Sequence, residues 1–418
     1  MFLKCRTLMA IAFVVLSAAI AALLSGLVDP EYSTLGSDLP SHHNGRLLCA
    51  SRNPQQLGEC YPKNAPAKGY DAATDRYNVG RFRSPVVDTE PQVLSEGQHW
   101  LQWKQFFWSS VSDGDWMIGV AMLNFGYNAG VVVNVFNRVS LSSYSRQIEL
   151  PLILAPLFGP QWYPDGENRT SIRYGCVEMA PLFDNSFVQS CTNAKGTVRN
   201  VTISLWVYDN IETSRDRIFF NVAFEFPLIS ADSMNLVFPL GPRRASMVSK
   251  GGGINSRRPA AGATHSPVSF TLDSYAHEMV TPVVNYDYTR GLLRRLTIWK
   301  WLSLGAPASR FAVEGLPVHR SYGLQLSTGT YDVDGISVES TVWIDGRLYP
   351  LEVPIRFQKV DAEVPPYQSK WRVFTDDGKL NLEFTPHGRF HGDFHYIVID
   401  GDLHHMWTGT APVYTPHM

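Results

Sequence analysis

The stretch Trp116-Met-Ile-Gly-Val-Ala-Met-Leu123, Asn124-Phe-Gly-Tyr-Asn-Ala-Gly130, Val131-Val-Val-Asn-Val-Phe136 decides the fold class. Two short apolar runs, the second rich in β-branched residues, flank a segment dense in Gly and Asn. That is the pattern of a β-hairpin: branched and aromatic side chains suit a pleated, half-buried surface, and Gly and Asn tolerate the backbone angles of a turn. Similar runs follow at Thr170–Val177, Thr197–Tyr208 and Arg217–Phe226. After residue 266 they resume at Val268–Leu272, Arg294–Leu302, Tyr322–Thr330, Ser337–Ile344, Tyr349–Gln358, Trp371–Thr375, Lys379–Phe384 and His395–Ile399. Asp345-Gly346, Asp377-Gly378 and Asp400-Gly401 lie at or between these runs. Each is read as a hairpin turn, because both residues tolerate positive φ. No segment of the body carries a convincing helical period. The expected body is therefore all-β, an antiparallel barrel or sandwich in each of two halves, 99–240 and 267–418.

Between the halves, residues 241–266 contain Gly241-Pro-Arg-Arg, Lys250-Gly-Gly-Gly and Arg257-Arg-Pro, with five basic residues and no acidic one. This reads as a basic, Gly-rich linker or insertion. Residues 29–98, rich in Pro, Asn, Ser and Gly, read as a stalk and irregular lead-in.

The amino terminus suggests an address. Met1–Arg6 is short and basic, and Leu8–Val28 runs 21 residues without a charge. At 1.5 Å per residue such a helix spans about 30 Å, one bilayer core. The expectation is a single-pass signal anchor over residues 1–28, with Lys4 and Arg6 cytoplasmic and the body lumenal or extracellular. The alternative is secretion after cleavage. Of the five cysteines, Cys5 would face the cytosol. Cys49, Cys60, Cys176 and Cys191 form an even set on the oxidising side, and the local pairs Cys49–Cys60 and Cys176–Cys191 close the shortest loops. Asn168-Arg-Thr and Asn200-Val-Thr are candidate glycosylation sites on the same side.

The chain has 418 residues, 44% hydrophobic, 12% aromatic and 18% charged, with net charge −2. That composition excludes a disordered chain, a coiled coil and a collagen-like repeat, and it gives no bulk attraction to nucleic acid. No nucleotide loop, nucleophile elbow, zinc-protease helix or CxxC pair occurs, so no cofactor is expected. His387, His391, His395, His404 and His405 cluster late. In a strand His391, His395 and Asp393 would share a face, a metal-like spacing weighed against solvated histidines at strand ends, and no metal site is assigned.

Several segments of the second half resemble the family called domain of unknown function 2804. They are Asp287-Tyr-Thr-Arg-Gly with Thr297-Ile-Trp-Lys-Trp, Glu339-Ser-Thr-Val-Trp-Ile-Asp-Gly with Ser340 at a position of Asn, Trp371 with Asp377-Gly-Lys-Leu-Asn-Leu-Glu-Phe-Thr-Pro, and Gly388-Arg-Phe-His-Gly. Trp100, Trp103 and Phe107-Trp108 add a looser match, so the resemblance runs over about residues 99–410. The chain departs from the pattern in its apolar amino terminus, its basic Gly-rich segment and the short Pro386–Gly388 junction. The resemblance implies a pair of lipocalin-like barrels, similar in architecture to hydroxyneurosporene synthase (carotenoid 1,2-hydratase) proteins, and hence a hydrophobic small-molecule ligand such as a lipid or isoprenoid.

Acid–base chemistry on such a ligand needs a proton donor in an apolar setting. Asp287, Glu339 and His319 are the candidates, being in or beside the matched segments, with hydrogen-bonded anchoring as their structural alternative. Trp299, Trp301, Trp343 and Trp371 are candidate cavity lining or core aromatics. Three functions follow: a membrane-anchored protein that binds a hydrophobic small molecule, a hydratase or isomerase acting on it, and a carbohydrate-binding β-sandwich using exposed Trp.

Overall fold

The computed structural model describes residues 65–407 except 67, 87–88, 90–102, 126–127, 152–153, 168, 180–183, 210–215, 230–231, 242–243, 256–266, 294–298, 307–320, 365–368, 379, 386–387 and 397–398. The segment read as a membrane anchor, the Cys49–Cys60 pair, Asn168 and His319 lie outside these residues. Among the described residues no helix is long and apolar enough to cross a membrane.

Among the described residues the body is all-β, with one five-residue helix at Leu154–Phe158. A 15-stranded antiparallel sheet dominates, and the predicted hairpin sits inside it as Trp116–Asn124 paired with Asn128–Asn137. Alternation explains how this sheet makes a core. Phe107, Val111, Val120, Met122, Val131, Val133, Val284 and Tyr286 point to one face, where they meet Val201, Ile203, Leu205, Phe220, Val222 and Phe224 from the sheet's other half. At roughly 25 cal/mol per Å² of apolar area, burial of this face is the main stabilising force.

The sheets are not closed into barrels. The main sheet's strand order ends on Tyr275–Met279 and Gly80–Phe82, and among the described residues no ladder joins them. Smaller sheets follow, a four-stranded one made of Trp299–Ala306, Tyr322–Gly329, Thr341–Ile344 and Arg347–Pro350, and a three-stranded one from Ile355–Lys359 to Asn381–Phe384.

Two readings of irregular sequence need correction. The segment read as a linker contributes Arg244–Asn255, a buried strand between Met234–Gly241 and Val283–Leu292 in the main sheet. Its glycines are there for close approach: a Cβ on Gly253, which has φ +65°, would lie 2.5 Å from the Tyr322 carbonyl carbon, and one on Gly323 would collide with the Gly252 backbone. The ladder also shifts register between Gly251 and Ile254, which glycine permits. The end of the segment read as a stalk likewise folds: Gly80–Phe82 pairs with Met234–Gly241, and buried Arg81 reaches Glu352 at 2.7 Å.

Turn chemistry fared better. Asp345 and Gly346 have φ of 50° and 75°, and Gly378 has 73°, as hairpin turns require. Asp400-Gly401 is different: both residues lie within the strand Ile399–Trp407, opposite His395 and Phe394. A nine-residue ladder on each side outweighs one favourable dipeptide. Cys176 and Cys191 are bonded, facing each other across adjacent strands. Asn200 is exposed on the strand Val198–Asp209.

Candidate active site

The opposite face of the main sheet is covered by the four-stranded sheet, and the candidate site lies between them. Lys250 and Asp287 are direct cross-strand partners, and Trp108 follows in the same row on the next strand. Directly opposed side chains share a face. The row therefore runs from cation to carboxyl to indole on the side away from the main core. Over it lies the hairpin of Trp299–Ala306 and Tyr322–Gly329. Gln325 holds this hairpin down: its amide nitrogen donates to the carbonyls of Gly251 (3.0 Å) and Tyr286 (2.9 Å). Asn285 accepts from the Gly253 amide at 2.9 Å.

Glu339 enters from the loop before Thr341–Ile344. Lys250 Nζ lies 3.0 Å from Asp287 Oδ2 and 3.1 Å from Glu339 Oε1. Lys250 and Glu339 are each only 3% exposed, so the two carboxyls share one ammonium out of water. The second oxygen of Glu339 accepts from Ser327 Oγ at 3.1 Å. Ser340 fixes Ser327 in turn, accepting from its amide (3.0 Å) and donating to its carbonyl (3.2 Å). The hydroxyl at a position of Asn thus serves as a backbone clamp.

Aromatics close the site. Trp301 stands edge-on to Trp108 at 4.8 Å, and Lys250 Nζ is 5.7 Å from its ring centre. Tyr331 is buried nearby, its hydroxyl 2.8 Å from Ser246 Oγ.

The electrostatics follow from this geometry. Burial disfavours the charged form of each carboxyl, and one cation offsets only part of that cost. Burial pushes Glu339 up to about 7, with the Asp287 charge also raising it and Lys250 opposing. Asp287 is raised too, by burial against the pull of Lys250. For Lys250, burial works against the charge, but Asp287 and Glu339 hold it above its ordinary value. Burial and then the Glu339 charge push Tyr331 well above the usual phenol range. One ammonium balances one carboxylate, and the other carboxyl is left holding a proton near neutrality.

Of the residues singled out from sequence, Asp287 and Glu339 meet here, and Trp301 joins them. Trp343 stands at the edge of the site: it packs with Phe238 and Tyr331, lies against Gly252, and its indole nitrogen donates to the Asp232 carbonyl at 2.9 Å. Trp371 starts a strand of the three-stranded sheet, and Trp299 starts the covering hairpin. His391, Asp393 and His395 lie on the strand Gly388–Tyr396, opposite His404, Asp402 and Asp400. Lys250 was missed, because a lone lysine before three glycines reads as loop. The apolar Ala245-Ser-Met-Val248 just before it was the available signal for a strand.

A family model for a domain of unknown function, DUF2804, matches residues 71–410. The chain belongs to that family. Among solved structures it is similar to CghA bound to Sch210972, with TM-score 0.41 and 8% identity over 75% of this chain and 85% of that one. It is also similar to CghA alone, with TM-score 0.39 and 9% identity over 76% and 88%. Kievitone hydratase from Nectria haematococca matches with TM-score 0.35 and 9% identity over 74% and 87%. No curated protein matches.

Proposed function

We propose that this DUF2804 protein binds a hydrophobic small molecule containing a carbon–carbon double bond and moves protons on it, as a hydratase or isomerase does. One observation carries the reading: two buried carboxyls share one buried ammonium beside Trp108 and Trp301. A carboxylic acid kept neutral in apolar surroundings is what protonating an alkene requires. In the hydration form, the protonated carboxyl of Glu339 gives its proton to one alkene carbon. Water adds its oxygen to the other carbon and gives a proton to Asp287, so one water is added overall. In the isomerisation form, Asp287 removes a proton from the neighbouring carbon instead. Lys250 holds Asp287 ionised for that role. We infer that the body lies outside the cytosol, tethered by residues 8–28. The Cys176–Cys191 bond supports an oxidising compartment.

The test is lipid extraction from the purified full chain, then incubation of the recovered ligand with the protein in deuterated water. Deuterium or water incorporation, lost in Glu339→Gln with ligand still bound, is the expected result. A ligand returned unchanged by the parent protein refutes catalysis and leaves binding alone. Turnover that survives Glu339→Gln removes Glu339 from the role.

A further inference from the structure

An acid buried this deeply must recover its proton after each turnover, while the proton taken up by Asp287 leaves through that residue's own slightly exposed side chain. A route back to Glu339 is present on the side of its carboxyl away from Lys250. Ser327 Oγ donates to Glu339 Oε2 at 3.1 Å, and Ser337 Oγ lies 2.8 Å from Ser327 Oγ. With the Ser327 proton committed to Glu339, the Ser337 hydroxyl is the donor to Ser327, so both hydroxyls point their protons toward the acid. Ser337 is the direct cross-strand partner of Asp332 in the two-residue ladder Asp332–Val333 with Ile336–Ser337. Opposed residues of such a ladder have Cβ atoms about 5 Å apart on one face, within reach of a single bridging water. Asp332 is half-buried and meets solvent, while its Oδ1 is buried and without a hydrogen bond among the described residues. The ladder is held by the tight turn at Asp334 and Gly335, whose φ values are 53° and 77°.

We propose that Asp332, Ser337 and Ser327 form a proton relay that returns a proton from solvent to Glu339. This rests on the acid role of Glu339 given above. After Glu339 has given its proton to the ligand, Ser327 transfers its hydroxyl proton to Oε2. Ser337 replaces the proton on Ser327, and water at Asp332 replaces the one on Ser337. No oxidant, metal or cofactor takes part: for each proton that enters along the relay one leaves Asp287, whose side chain is 10% exposed, so the cycle balances. Burial raises Asp332 above the ordinary carboxylate range, which suits a group that takes up and passes on protons. Ser327, Ser337 and Asp332 act through Glu339 and are positioning residues.

The experiment needs no substrate. The full chain in mild detergent is stepped from high to low pH, and the carbonyl stretch of protonated carboxyls is followed by time-resolved infrared spectroscopy. The band that disappears in Glu339→Gln reports Glu339. Ser327→Ala and Ser337→Ala are expected to keep that band, while its recovery slows by roughly tenfold or more, equivalent to about 1.4 kcal/mol on the barrier. Asp332→Asn slows it likewise, and Ser327→Thr, which keeps a hydroxyl, recovers near the parental rate. A Glu339 band with parental recovery in both alanine variants overturns the relay alone. Absence of any Glu339 band overturns the acid role and the relay with it. Ser337 touches Glu339 only through Ser327 and a long backbone contact, so its variant keeps the test decisive if Ser327→Ala fails to fold.

Discussion

Replacing Glu339 by Gln is expected to flatten the pH dependence of stability and to stabilise the protein in alkaline solution. Burial lifts the Glu339 carboxyl from its ordinary 4.5 to about 7. Between those values the folded chain holds a proton that the unfolded chain has released. The unfolded state therefore binds fewer protons, and stability falls as pH rises through that window. At 1.36 kcal/mol per pH unit the full effect is about 3 kcal/mol, present below pH 4.5 and lost above pH 7. Asp287, also raised, adds a slope of the same sign starting from a lower pH. Gln cannot ionise, and it leaves Lys250 paired one to one with Asp287. Urea unfolding followed by Trp fluorescence at pH 5, 6, 7 and 8 checks this. Parent and variant should be nearly equal at pH 5, and the variant should gain with pH to about 3 kcal/mol at pH 8. A difference that does not change with pH, or one that grows in favour of the parent, refutes the buried-acid assignment.

Lys250→Met removes the only cation facing the two carboxyls in the described site, and the expected loss at pH 7 is about 3–5 kcal/mol, smaller at pH 5 where Glu339 is protonated; denaturant melts at the two pH values read it. Cys176→Ser with Cys191→Ser opens a loop of 15 residues and should cost about 3 kcal/mol by the same melts. Gly323→Ala drives a methyl into the Gly252 backbone, so it should lift the covering hairpin from the Lys250 strand. Faster amide hydrogen exchange at Gly251 to Gly253, with the main core unchanged, is the expected sign. Ser340→Ala removes the clamp on Ser327 and should cost about 1 kcal/mol in thermal or urea unfolding.

Much of this architecture was legible in local sequence. The hairpin from Trp116 to Phe136 appears with nearly the expected bounds, because period-two alternation and Gly/Asn turns act over a few residues. The Asp345-Gly346 and Asp377-Gly378 turns are local in the same sense. The local Cys176–Cys191 pair also formed as its short spacing suggested. Long-range pairing was not legible. Arg244–Asn255 looks like a linker because Gly251 to Gly253 carry no side chains to show a strand pattern; what calls for glycine there is the backbone of Tyr322 and Gly323, about 70 residues away in sequence. Whether a sheet closes is a property of its two edges, which no single run of residues records.

The amino-acid sequence by itself determined an all-β body and named Asp287 and Glu339 as candidate acids beside aromatic segments. Only the tertiary structure decided that the two carboxyls meet, and that Lys250 stands between them at 3.0 and 3.1 Å. The reason is physical. Alternation and turn preference are written within a few residues of where they act. A shared buried charge exists only when separate strands come into register and exclude water together.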